Sequence, residues 1–158
     1  MKQEKIQAYT RRITMANKTQ MITILYEMVL DYIEEAEEEF ESGNNNGFIE
    51  SAGKAMNCID ELIHSLNLEY ELGRNLLGLY LFEKRQLLRA VGKLNLENIP
   101  HVKKTFTNLH EAYLKLETMD TEKSVMTNVP KVYAGLIYGR GKLTETISAD
   151  TYGRGYMA

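Results

Sequence analysis

The sequence predicts an all-α protein: an antiparallel, up-down-up-down four-helix bundle with a short N-terminal segment and a largely irregular C-terminal extension. Three observations predict it. Only two prolines, Pro100 and Pro130, occur in 158 residues. The first 117 residues are rich in Leu, Glu, Lys and Met, which favour helix. Apolar residues recur there at helical spacings, in blocks separated by short polar breaks that cannot span the length of a helix, so consecutive helices are expected to run antiparallel.

The first long helix is expected from about Thr19 to Phe40, where Met21, Leu25, Met28, Val29, Tyr32, Ile33, Ala36 and Phe40 fall three and four residues apart. Asn17 with Gln20 reads as its capping box. Ser42-Gly43-Asn44-Asn45-Asn46-Gly47 ends it with residues that tolerate left-handed backbone and bond their own main chain. Asn46 is then the expected N-cap of a second helix through Phe48, Ile49, Ala52, Met56, Ile59, Ile63 and Leu66. Leu72, Leu76, Leu79, Tyr80, Leu87, Leu88 and Val91 mark a third helix of about 23 residues. After a connection at Asn95 to Asn98, Pro100 opens a fourth through Val102, Phe106, Leu109, Tyr113 and Leu116, because a first-turn proline sacrifices no helical hydrogen bond.

This helical body is assigned to residues 1–118 and the extension to residues 119–158. Beyond Thr118 the texture shifts to Thr, Gly and Ser with isolated apolar residues, and Tyr138-Gly139-Arg140-Gly141 returns as Tyr152-Gly153-Arg154-Gly155. Two copies of four residues do not make a repeat fold. The extension still carries an apolar cluster from Tyr133 to Tyr138, a candidate to dock back on the body.

Composition narrows the function. Nineteen basic against 22 acidic residues leave a net charge of -3, without the positive field that phosphate backbones reward, so no nucleic-acid partner is expected. The start, Met1-Lys2-Gln3-Glu4-Lys5, leads into no apolar run of signal-peptide type, and no stretch reaches membrane-spanning length. With Cys58 the only cysteine, no internal disulfide can form, which fits a reducing cytoplasm. A cytosolic protein without membrane insertion is the expectation.

Catalytic templates fail one by one. Glu61-Leu62-Ile63-His64 has the Glu-x-x-His spacing of bundle di-metal sites, which need a second copy, and His101 and His110 lack the i, i+4 pairing of a helical zinc site. Gly135 and Gly141 are separated by five residues instead of the P-loop's four, and Leu143 follows Lys142 where a hydroxyl is required. Cys58, between apolar neighbours, reads as a small core residue. No catalytic residue, metal or cofactor is expected. The acidic run Asp31, Glu34, Glu35, Glu37, Glu38, Glu39 and Glu41 reads first as a solvated face and second as a docking surface for a basic partner.

Eight methionines and ten tyrosines without a tryptophan suit a surface that receives helices, since Met adapts its shape and Tyr joins an apolar body to a polar tip. The first and third long helices are apolar over more than one stripe: Met21 with Ile22 and Ile24 with Leu25 on one, Leu76 with Leu77 and Leu79 with Leu81 and Phe82 on the other. The surplus width is available to a partner helix, the chain's own tail or a second copy.

Ala8-Tyr9, then Leu25-Tyr26-Glu27, then Leu62-Ile63-His64-Ser65-Leu66-Asn67-Leu68-Glu69 and Asn75-Leu76-Leu77-Gly78-Leu79-Tyr80, in that order, resemble the flagellar secretion chaperones of the FliS family. The resemblance spans about residues 5 to 117. The chain departs from the family pattern at Asn17-Lys18, where members often carry a proline, between Glu69 and Asn75, where a Gly-Gly pair is shortened away, and at Tyr113 in place of a tryptophan. The resemblance implies a cytosolic export chaperone that binds the C-terminal helical segment of flagellin, prevents premature polymerisation and delivers the subunit to the flagellar export apparatus. It further implies that the segment around Ile6 and Tyr9 covers a groove until the partner displaces it. Ile22, Leu25, Tyr26, Leu76, Leu79 and Tyr80 are the residues expected with Ile6 and Tyr9 at that groove. A homodimer or larger homo-oligomer without a client, its spare apolar faces closed by a second copy, is the competing expectation.

Overall fold

The computed structural model describes residues 2–123, which form five helices and no strand. The expected docking cluster Tyr133 to Tyr138, the Tyr-Gly-Arg-Gly repeat and the glycines before Lys142 lie outside the described residues. The helices are α1 (Gln3–Met15), α2 (Lys18–Glu41), α3 (Asn45–His64), α4 (Glu71–Lys93) and α5 (Ile99–Lys123).

The four long helices begin and end where local chemistry directs. At the start of α2, Asn17 Oδ1 accepts the Gln20 amide at 2.9 Å while Gln20 Oε1 accepts the Asn17 amide at 3.0 Å, a reciprocal capping box. The chain leaves α2 through Gly43, whose φ of 83° is the left-handed conformation that glycine adopts without Cβ strain. The N-cap of α3 is Asn44, two residues before the expected Asn46: its Oδ1 accepts the Gly47 amide at 3.0 Å. Three consecutive asparagines offered the cap chemistry, and the tightness of the turn after Gly43 selects the first. Pro100 occupies the first turn of α5, and that helix runs on past Thr118 to Lys123.

Paired contacts fix the order of packing. From α2 to α3, Phe40 meets Phe48 at a ring separation of 5.2 Å, while Glu35 accepts Ser51 at 2.9 Å. From α2 to α5, Glu37 pairs with Lys103 at 2.7 Å, and Tyr26 meets Tyr113 at 5.3 Å. From α4 to α5, Glu83 accepts Thr105 at 2.8 Å, and the rings of Tyr80 and Phe106 stack at 6.2 Å. In each pair the residue number rises on one helix as it falls on the other, so these neighbours run in opposite directions. Lys84 on α4 reaches Asp60 on α3 at 2.6 Å and closes the ring of four.

The core follows from the α2 stripe Ile22, Tyr26, Val29, Ile33 and Ala36, all buried against Phe48, Ile59 and Leu62 of α3, Tyr80 and Leu87 of α4 and Val102 and Phe106 of α5. Each fully buried large apolar side chain contributes about 1.5–3 kcal/mol over its exposed state. Glu83 is fully buried inside this core, hydrogen-bonded by Thr105 and with His101 Nδ1 at 3.2 Å, so its carboxylate is satisfied by two α5 side chains.

The short N-terminal segment has a definite conformation. It is a 13-residue helix, and Tyr9 is its one buried residue. Ile6, Tyr9 and Ile13 fall three and four residues apart, a signal that three residues in a charged stretch left faint.

Candidate binding groove

α2 carries two apolar stripes one residue out of register. Ile22, Tyr26, Val29 and Ile33 turn into the bundle, whereas Met21, Leu25 and Met28, at i, i+4 and i+7, turn toward α1 and α3. With Ile13 of α1 and Asn57, Cys58 and Glu61 of α3 they line an open concavity of about 320 Å³. Burial pushes the Cys58 thiol up to about 12, with the nearby Glu61 charge adding to the effect, so it stays protonated and lines the groove as a small apolar group.

α1 lies along this surface antiparallel to α2 and is fastened mainly by polar contacts. Lys5 Nζ is 2.8 Å from Asp31, whose carboxylate also accepts the Tyr9 hydroxyl. Arg12 forks onto Glu27 at 2.5 and 3.0 Å, and His110 Nε2 of α5 approaches the same carboxylate at 3.1 Å. Burial raises the Tyr9 phenol well above its ordinary value, and the hydrogen bond to Asp31 adds to that. For Glu27, burial pulls upward, yet the hydrogen bonds from Arg12 and His110 outweigh it and hold the carboxyl below its usual value.

The sequence-derived groove residues divide. Leu25 stands in the groove wall, Tyr9 is buried on the cover, and Ile6 on the same helix is 38% exposed. Ile22, Tyr26 and Tyr80 are interior residues with 1%, 0% and 0% exposure, and the Tyr26 and Tyr80 hydroxyls meet at 2.6 Å. Leu76 is buried and Leu79 partly buried, both against the core. Neighbouring residues on an all-round apolar helix face different partners, so the eight expected residues occupy both interior and groove-side positions. Met21, Met28, Ile13 and the clasp of Lys5, Arg12, Glu27 and Asp31 were not among the residues expected at the groove. The i, i+4, i+7 register of Met21, Leu25 and Met28 carried the signal for the groove wall.

A second apolar surface lies on α4, where Leu81, Phe82 and Leu88 are each more than 40% exposed. No described helix is long and apolar enough to cross a membrane.

The fold is a helical bundle with a methionine-lined apolar groove and a further, thinly attached helix, α1, at its margin. The chain matches the family model described as flagellar protein FliS over residues 1–120, and it belongs to that family of flagellar secretion chaperones. No curated protein shows a significant match to the chain.

Proposed function

We propose that the protein is the cytosolic export chaperone of a flagellin. It holds the C-terminal helical segment of the newly made subunit, blocks premature polymerisation and passes the subunit to the flagellar export apparatus. The observation that carries this reading is the groove of Met21, Leu25, Met28 and Cys58 beneath α1, joined to membership of the FliS family. A partner that is disordered when free folds there as an amphipathic helix, and α1, with Tyr9 its one buried side chain, gives way. Of the sequence-derived residues, Leu25 contacts the client, Ile6 and Tyr9 act on the cover, and Ile22, Tyr26, Leu76, Leu79 and Tyr80 support the groove from behind.

Calorimetric titration with a peptide spanning the C-terminal helical region of the cognate flagellin tests the reading. One-to-one binding with a negative heat-capacity change is expected, since apolar burial carries that sign. Absence of binding would sink it. The exposed Leu81, Phe82 and Leu88 favour one competing reading, a homo-oligomer closed over α4. A mass in solution that rises with concentration, without affinity for the flagellin segment, would support that alternative.

A further inference from the structure

α1 lies along α2 at the margin of the groove, and Ile13 is the α1 residue that lines it. It stands at the apolar end, with Met21, Leu25 and Met28. Along one edge, Lys5 and Tyr9 engage Asp31, and Arg12 engages Glu27 through both guanidinium nitrogens. Glu27 and Asp31 are one turn apart on α2, and Glu34 and Glu38 continue the same line under Lys2 and Lys5. The occupant therefore meets an apolar floor with a carboxylate edge.

Those carboxylates are partly withdrawn from water, the Asp31 and Glu27 side chains keeping 20% and 22% exposure with α1 in place. An ion taken out of water needs its partner: removing one member of such a pair leaves the desolvation cost of the other uncompensated. A displacing helix with only an apolar face would inherit that cost at Asp31, and at Glu27 the part that His110 does not offset. One that offers a cation or hydroxyl where Lys5, Tyr9 and Arg12 now stand would not.

We infer that Glu27 and Asp31 are the specificity-determining residues of the groove: among amphipathic helices they select one that presents hydrogen-bond donors or cations at the spacings of Lys5, Tyr9 and Arg12, beside its apolar face. The inference rests on the flagellin reading and deepens it. Apolar contact with Met21, Leu25 and Met28 drives association, whereas the two carboxylates fix direction and register, as they do for α1, which runs antiparallel to α2 with Lys5 and Tyr9 on Asp31 and Arg12 on Glu27. Adaptable methionines discriminate poorly between apolar helices, and discrimination falls to the charged edge.

The test uses the full chain and the flagellin C-terminal peptide, with each Lys and Arg of the peptide replaced in turn by Gln and each Tyr by Phe. Every peptide is titrated into the unaltered protein, Glu27→Gln and Asp31→Asn. The cost of displacing α1 is common to all peptides on a given protein, so it cancels in the ratio of parent to substituted affinity. At least one peptide substitution should weaken binding about tenfold on the unaltered protein and less than about twofold on the variant lacking the matching carboxylate. Binding with ratios equal on all three proteins would overturn the inference and leave the flagellin reading standing. Absence of binding by every peptide, or a doubled mass of the chain alone without affinity for the segment, would overturn both.

Discussion

At the scale of single residues, the Tyr26 and Tyr80 hydroxyls decide how the aromatic centre of the bundle is held. They meet at 2.6 Å inside a cluster in which the Tyr26 ring also lies 6.0 Å from Phe106 and 5.3 Å from Tyr113. A buried hydroxyl that loses a hydrogen-bond partner retains its desolvation cost, whereas removing both hydroxyls removes the demand. Tyr26→Phe and Tyr80→Phe should each lower stability by about 1 kcal/mol, and the double substitution by clearly less than their sum. Urea denaturation of the four proteins checks this, and strict additivity would show that the two hydroxyls do not share one interaction. The pair also shows why function and core are hard to separate in the sequence. Leu25-Tyr26 is a continuous apolar string, yet Leu25 faces the groove and Tyr26 the interior, a difference of 100° around the helix that composition does not carry.

At the scale of elements, capping chemistry explains the starts of α2 and α3, and one helix end remains strained. α4 finishes at Leu94 with φ 50° and ψ 57°, a left-handed conformation that a γ-branched residue adopts at a cost. Its amide is still bound to the Ala90 and Val91 carbonyls, and its side chain is 40% exposed, so little packing offsets the strain. Leu94→Gly should therefore raise stability by about 0.5–1 kcal/mol, visible as a later thermal or denaturant midpoint. A fall in the midpoint would mean that Leu94 packing outweighs its backbone strain. The long helices α2 to α5 were legible because each repeats an apolar period over five turns or more and ends at recognisable turn residues. The N-terminal helix was not, since its 13 residues carry only Ile6, Tyr9 and Ile13 at helical spacing and draw their support from Asp31 and Glu27, distant in sequence. A helix of that length is marginal in water by itself, so its order comes from the surface it covers.

At the scale of the whole molecule, the layers differ in how firmly they are held. The ring of α2 to α5 shares one continuous core, while α1 adds one buried side chain and a polar clasp. Elements with few apolar contacts open at far lower free energy than the global fold, so α1 can leave without unfolding the bundle beneath it. The acidic half of α2 fits this division. Asp31 receives Lys5 and Lys2 lies with Glu34 and Glu38, whereas Glu37 receives Lys103 of α5, so the charges that read as a solvated face in the sequence partly hold α1 and partly the bundle.

The central claim is that α1 is a displaceable cover over the client groove, and amide hydrogen exchange with and without a saturating flagellin C-terminal peptide tests it most directly. The account predicts that amides of Gln3–Met15 lose protection on binding, while Met21 to Met28 and Asn57 to Glu61 keep or gain it. Peptide that binds with the exchange of α1 unchanged, and with new protection elsewhere, for instance across Leu81 to Leu88, would contradict it.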